Sequence, residues 1–146
     1  MLCFFLFFMY NKSTKNIKGR AIPMIQVIHG KKGSGKTKKI LDMANAAIKE
    51  YKGDVIFIDD DNRYMFDLRH EVRFVNAGEY GSDSPEMFFG FLCGMLAQNF
   101  DISIIFVDAF LKLVGIELAD AAWFFEALEA LGFQVQLTRL DQTKDL

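Results

Sequence analysis

Apolar residues in this chain fall into two kinds of segment: short unbroken runs, and longer stretches in which they recur every three or four positions. Unbroken, partly β-branched runs suit strands buried on both faces, whereas the wider spacing lays one apolar stripe along a helix. Met24-Ile25-Gln26-Val27-Ile28 is the first core strand by this pattern. Ile40, Leu41, Ala44, Ala47, Ile48 and Tyr51 then mark a helix ending near Lys52-Gly53, with Gly53 expected as a left-handed cap. Asp54-Val55-Ile56-Phe57-Ile58 reads as a buried parallel strand, and Val72-Arg73-Phe74-Val75 as a third. Ser84-Pro85-Glu86 opens a helix, a capping residue followed by proline at the first helical position. That helix runs to about Gln98 and carries Met87, Phe88, Phe91, Leu92, Met95 and Leu96 as core. Ile102-Ser103-Ile104-Ile105-Phe106-Val107-Asp108 is the longest strand pattern of this series. A last helix over about residues 118–131 has Leu118, Ala121, Ala122, Phe125 and Leu128 on one side and Gly132 beyond its end. Phe133-Gln134-Val135-Gln136-Leu137 alternates as a half-exposed final strand. Strands interleaved with helices make this an α/β chain.

Residues 1–23 stand apart. Met1 to Tyr10 are almost wholly apolar, and Lys12, Lys15, Lys18 and Arg20 follow. The run is shorter than the roughly 20 residues a membrane-spanning helix needs. It also lacks the preceding basic residue and following small-residue site of a signal peptide. An apolar stretch followed by basic residues is the pattern of a membrane-surface anchor as well. A start at Met24 is the simpler reading. Residues 1–23 are thus expected outside the fold, disordered or a mis-assigned start, with a single domain over 24–146 and no membrane association.

Composition narrows the classes. Hydrophobic residues make up 51% and charged residues 25%, which excludes a disordered chain. A formal net charge of −2 gives no reason to expect nucleic acid as a partner. Cys3 and Cys93 are the only cysteines, too few for a disulfide framework or a zinc cluster, as suits a cytoplasmic protein. His29 and His70 make no metal constellation, although His29 directly precedes the segment that matters most.

That segment is Gly30-Lys31-Lys32-Gly33-Ser34-Gly35-Lys36-Thr37, which satisfies G-x-x-x-x-G-K-[ST] at every position, between a predicted strand and a predicted helix. Glycines let successive N–H groups turn into one concavity, and the helix N-terminus behind it favours an anion. Lys36 would bring its charge to the β- and γ-phosphates, and the Thr37 hydroxyl would bind Mg²⁺. The cofactor-binding set is Gly30, Lys31, Lys32, Gly33, Ser34, Gly35, Lys36, Thr37 and Lys38. Asp108 ends an apolar strand, the Walker B pattern, and joins Thr37 as the metal pair. Asp59, Asp60 and Asp61 follow another strand at the edge where α/β sheets bind ligands. Lys36, Asp59 and Asp60 are therefore the catalytic candidates, with Glu117 a more distant acid. Arg63, Arg69 and Arg139 are candidates for neutralising transition-state charge.

Over most of residues 24–140 the order of elements resembles the P-loop NTPase superfamily. An extra strand and helix before the Asp108 strand resemble its RecA-like branch, in which another strand stands between the two motif-bearing strands. Asp61-Asn62-Arg63-Tyr64 and Ser84-Pro85-Glu86 ahead of Walker B are similar to bacterial thymidine kinases. The chain also looks like small bacterial ATP-binding proteins labelled as twitching-motility ATPases. The resemblance implies a three-layer sandwich with a mostly parallel central sheet, binding ATP and Mg²⁺. Three departures bear on activity. RecA-like ATPases place a catalytic Glu after the Walker B Asp, but Ala109 stands here. The thymidine kinases' cysteine-rich zinc lobe and the twitching motors' additional N-terminal domain have no counterpart in this sequence.

The leading expectation is a nucleoside-triphosphate-binding protein with weak ATPase (hydrolase) activity, or a nucleotide-dependent switch in which residues 59–70 move. The alternatives are a small nucleoside or metabolite kinase, and a non-enzymatic assembly subunit. In the last, a surface drawn from the chain's 16 phenylalanines would meet a protein partner or a second copy.

Overall fold

The unbroken apolar runs become strands of one six-stranded sheet, ordered β4-β3-β5-β1-β2-β6. In the computed structural model the described residues are 2–9, 24–31, 35–81, 84–99, 101–115, 117–130 and 134–135. The strands are β1 (Leu2–Met9), β2 (Met24–Lys31), β3 (Asp54–Asp59), β4 (Val72–Asn76), β5 (Ile102–Asp108) and β6 (Gln134–Val135). The helices are α1 (Lys36–Glu50), α2 (Pro85–Gln98), α3 (Phe110–Val114) and α4 (Ala122–Ala130). β4, β3 and β5 form a contiguous parallel block, and β6 runs parallel to β2. β1 is antiparallel to both β2 and β5, so those two strands point the same way with β1 between them.

Helices cover both faces. On one, Ile40, Leu41, Ala44 and Ala47 of α1 pack on Val55 and Phe57 of β3 and Ile104 and Phe106 of β5. On the other, Ile56, Ile58, Ile105 and Val107 meet Phe88 and Leu92 of α2, Phe110 and Leu113 of α3, and Phe124 and Leu128 of α4. Successive residues of β3 and β5 thus alternate between two cores, as a pleated strand requires. The three-layer α/β arrangement follows from this double burial.

Two local features differ from the expected pattern. Ile102 faces the same core as Ile105 because the pairing steps from Asp54↔Ile102 to Val55↔Ile104, which leaves Ser103 as an inserted residue. One extra residue reverses the two-residue alternation at that point. Gly53 was expected as a left-handed cap, but α1 closes on Tyr51 in extended conformation and Gly53 is not among the positive-φ glycines. Its requirement is steric. A Cβ there would collide with the Asp101 carbonyl and the Ser103 hydroxyl, to which the Gly53 N–H donates at 3.0 Å.

The helix opened by Ser84-Pro85 forms as expected, the Ser84 hydroxyl accepting from Met87 N–H at 3.2 Å. The single helix expected over 118–131 is shorter, a 3₁₀ turn (Leu118–Asp120) and then α4. α3 follows β5 without a signal in the apolar spacing. Of the expected strand 133–137, Gln134 and Val135 form β6 and the rest lies outside the described residues.

The largest departure concerns residues 1–23, expected outside the fold. Leu2–Met9 is instead a strand with neighbours on both sides: Phe5 pairs with Ile28 and Asp108, Leu6 with Val27 and Val107. An unbroken apolar run of this length is the pattern of a central strand, and the tests for membrane and secretion signals do not address that role. Proline at Leu6 removes a ladder donor and is expected to lower stability by on the order of 2–3 kcal/mol in urea unfolding. An unchanged midpoint would put residues 1–23 outside the fold after all.

Candidate functional site

β3, β4 and β5 end together, and polar residues follow each apolar run at the same edge. Ile58 pairs with Val107, so Asp59 ends β3 beside Asp108 at the end of β5, and Asp59 pairs with Asn76 of β4. Both carboxyls are inside the protein, Asp59 at 3% exposure and Asp108 at 7%. Asp59 Oδ1 accepts the Asp60 N–H at 2.7 Å, while its buried Oδ2 has no hydrogen-bond partner. One carboxylate oxygen from each of Asp59, Asp60 and Asp61 lies within 4.8 Å of the other two.

Crowding of buried acids sets their protonation. Burial, then a hydrogen bond with Asp60 and the charge of Asp108, pushes the Asp59 carboxyl up to about 8. Burial likewise raises Asp108 to about 6, with the Asp60 and Asp61 charges adding and the Ala109 N–H opposing. Asp60 goes the other way. Burial pushes against ionisation there, but hydrogen bonds from Lys112 and Asp59 carry it below the ordinary carboxylate range. The Lys112 ammonium lies 2.7 Å from Asp60 Oδ2 and is itself raised by that bond. Arg63 pairs with Asp61 at 3.3 Å, and its guanidinium sits 5.7 Å from the Tyr64 ring centre.

The residues expected to form a phosphate loop follow β2 in the chain. Gly30 and Lys31 end β2; Lys32, Gly33 and Ser34 lie outside the described residues. Gly35 caps α1 at φ 81°, in open space, so its backbone conformation requires glycine. Lys36, the first residue of α1, is 8% exposed, and Thr37 is half-buried. Lys38 is exposed and bonds Asp42 one turn on, at 2.9 Å. Arg69 and His70 precede β4 at the opposite edge of the sheet, where both bond Glu71, so Arg69 is not brought to the acids. Glu117 is exposed beyond α3, and Arg139 lies outside the described residues.

No protein-family model, curated protein or solved structure matches the chain. Its chemistry is therefore argued from the side chains themselves.

Two features of the edge have no signal in the apolar pattern. Lys112 reaches Asp60 because α3 turns back directly after Asp108. That turn runs through Ala109 at φ 58°, the sole non-glycine positive φ among the described residues. An L-residue in this region costs about 1–2 kcal/mol. It is held there by Phe110, which is buried and stands 5.1 Å from Phe124 and 6.0 Å from Phe88, ring centre to ring centre.

The acids make stability depend on pH in a definite direction. Asp59 and Asp108 bind protons more tightly folded than unfolded, so the folded chain carries more protons between the ordinary carboxylate value and their raised values. Stability is full below about pH 4 from these two groups and falls as pH rises towards about 8. Asp59→Asn removes the larger part, so in urea unfolding the variant should be more stable than wild type at about pH 8, by a margin that is smaller at about pH 5 and vanishes below about pH 4. Equal differences at both values would show that Asp59 is ionised throughout. Ala109→Gly relieves the left-handed residue and should raise stability by up to about 1 kcal/mol, against a loss of similar size at an ordinary position.

Proposed function

We propose that the chain is a P-loop nucleotide-binding protein that holds ATP with Mg²⁺ and hydrolyses it weakly. The carrying observation is Gly35. The motif's last glycine caps α1 in a left-handed conformation, between β2 and a helix whose first residues are Lys36 and Thr37. Such an arrangement would turn helix N–H groups, with a lysine beside them, towards an anion. A RecA-like layout has support in strand order, since one strand stands between the motif-bearing β2 and β5, although it is β1 and antiparallel.

Thr37 and Asp108 supply a hydroxyl and a carboxylate, hard oxygen donors suited to Mg²⁺, and Asp108 is a buried acid whose charge is otherwise costly. The ion would neutralise charge on the phosphates. Lys36 would do so at the γ-phosphate. Ala109 stands where a catalytic Glu is common, and Asp59 on the neighbouring strand is the acid best placed to orient a water; Asp60 is held by Lys112. Hydrolysis is expected to be slow because no acid directly follows Asp108 in the sequence. No helix among the described residues is long and apolar enough to cross a membrane, and the reading is of a cytoplasmic protein.

Binding of ATP to wild type and Lys36→Ala, with and without Mg²⁺, tests this. Wild type should bind with Mg²⁺, and the variant at least about ten-fold more weakly, about 1.4 kcal/mol. Equal binding by both, or by neither, sinks the proposal.

A further inference from the structure

Three consecutive aspartates, Asp59, Asp60 and Asp61, carry the chain out of β3, and an oxygen from each lies within 4.8 Å of the other two. Acidic turns at a surface are common and need no ligand. This one differs at its inner end. Asp59 is 3% exposed, its Oδ1 is committed to the Asp60 N–H, and its buried Oδ2 has no hydrogen-bond partner. A buried carboxylate oxygen is costly unless a donor or a cation reaches it.

The outer carboxyls already have cations. Lys112 Nζ lies 2.7 Å from Asp60 Oδ2, and the Arg63 guanidinium 3.3 Å from Asp61 Oδ2. Neither is bonded to Asp59. With Asp108 beside Asp59, four carboxyls face two bonded cations at this edge, and one divalent ion matches the difference when all are ionised. The turn is also held from behind. Gly78 sits so close to the Asp60 carbonyl that a Cβ would collide with it, and Asn76 Nδ2 donates to Asn62 Oδ1 at 3.2 Å. Asn76 is itself paired with Asp59, so the sheet fixes where the aspartates stand.

The geometry points to a Ca²⁺ site formed by Asp59, Asp60 and Asp61, with the unpartnered Asp59 oxygen as its inner ligand. Carboxylate donors suit a hard cation. Ca²⁺ takes its oxygens at about 2.3–2.6 Å in irregular arrangements, so ligands on opposite sides of it stand about 4.6–5.2 Å apart, which covers the span of the cluster. Mg²⁺, at about 2.0–2.1 Å, reaches only about 4.2 Å and demands near-octahedral placement. Lys112 holds Asp60 as a tethered cation, and the ion competes with it for that carboxylate. The three ligands differ from the Thr37 and Asp108 pair, and the site does not depend on nucleotide binding.

The test is calorimetric titration of the metal-free full chain with calcium chloride, without nucleotide. One ion per chain should bind with a Kd below about 1 mM, the weak end for protein Ca²⁺ sites, and at least about ten-fold more tightly than Mg²⁺. Asp59→Asn, expected to be at least as stable as wild type, should weaken binding at least about ten-fold. Lys112→Gln should tighten it by about two- to five-fold, the worth of one exposed ion pair, which a purely structural lysine would not do. Asp42→Asn, exposed on α1 and outside the cluster, should leave it unchanged. The inference is overturned if no Ca²⁺ binds at about 10 mM, if Asp59→Asn keeps full affinity or Asp42→Asn loses as much, if Mg²⁺ binds as tightly, or if Lys112→Gln binds more weakly. Loss of the ion with Thr37→Ala would assign it to the phosphate-loop pair and overturn the inference as well. Failure to bind ATP would bear on the phosphate loop and not on this site.

Discussion

Everything at the acidic edge depends on the parallel pairing of β3 with β5. Their registered residues alternate between two cores, so a slip by one residue would turn Phe57, Ile58, Phe106 and Val107 into the wrong core, against side chains shaped for others. Register held by four large buried side chains, each contributing about 1.5–3 kcal/mol, is register held firmly. Its consequence is that Asp59 and Asp108 end side by side, inside the protein, where two carboxyls would not settle unaided. The Ser103 insertion confines the irregularity to the amino end of the pair. The carboxyl end, where the acids stand, stays regular.

That edge is electrostatically unbalanced on the inside and balanced on the outside. Lys112 and Arg63 neutralise Asp60 and Asp61 at the surface, where such pairs add little to stability. Neither cation is bonded to Asp59, whose Oδ2 lacks a partner. A buried carboxyl oxygen without a partner is a cost a fold ordinarily avoids, and such costs concentrate at sites that bind or react. The left-handed Ala109 lies next to the same acids and is a second local cost. The Phe88–Phe110–Phe124 cluster offsets it, since aromatic pairs add about 0.5–1.5 kcal/mol beyond area burial.

Much of this was legible in the sequence. The apolar runs located β2 to β5, the alternating stretches located α1 and α2, and Ser84-Pro85 marked a helix start that the structure forms. Asp59 and Asp108 are each legible as acids at strand ends; that they meet depends on strand order, which local pattern does not carry. Lys112 and Ala109 were illegible for the same reason, because α3 exists only through Phe110's place in the core. Gly53 shows a subtler limit: a glycine after a helix has two explanations, left-handed conformation or close approach, and only the neighbouring Ser103 insertion decides between them. The apolar run at residues 2–9 fits a central strand as well as a membrane-surface segment, and only its pairing partners decide between them.

Placement of the phosphate-loop side follows from two constraints of different kinds. β2 reaches the acid-bearing block only across β1, since its other neighbour is β6. α1, however, does not rely on β2 for its position. Its apolar stripe of Ile40, Leu41, Ala44 and Ala47 is buried on Val55, Phe57, Ile104 and Phe106, side chains of the same two strands that carry the acids. The start of α1 is thus held at the carboxyl edge of β3 and β5 by side-chain packing, and the strand order governs only the approach of the loop that leads into it. Gly35 is where these constraints meet: α1 is fixed on other strands, and its first turn is entered through a left-handed glycine. The last glycine of the motif is thus required by the fold, as the cap of α1, whatever the motif binds.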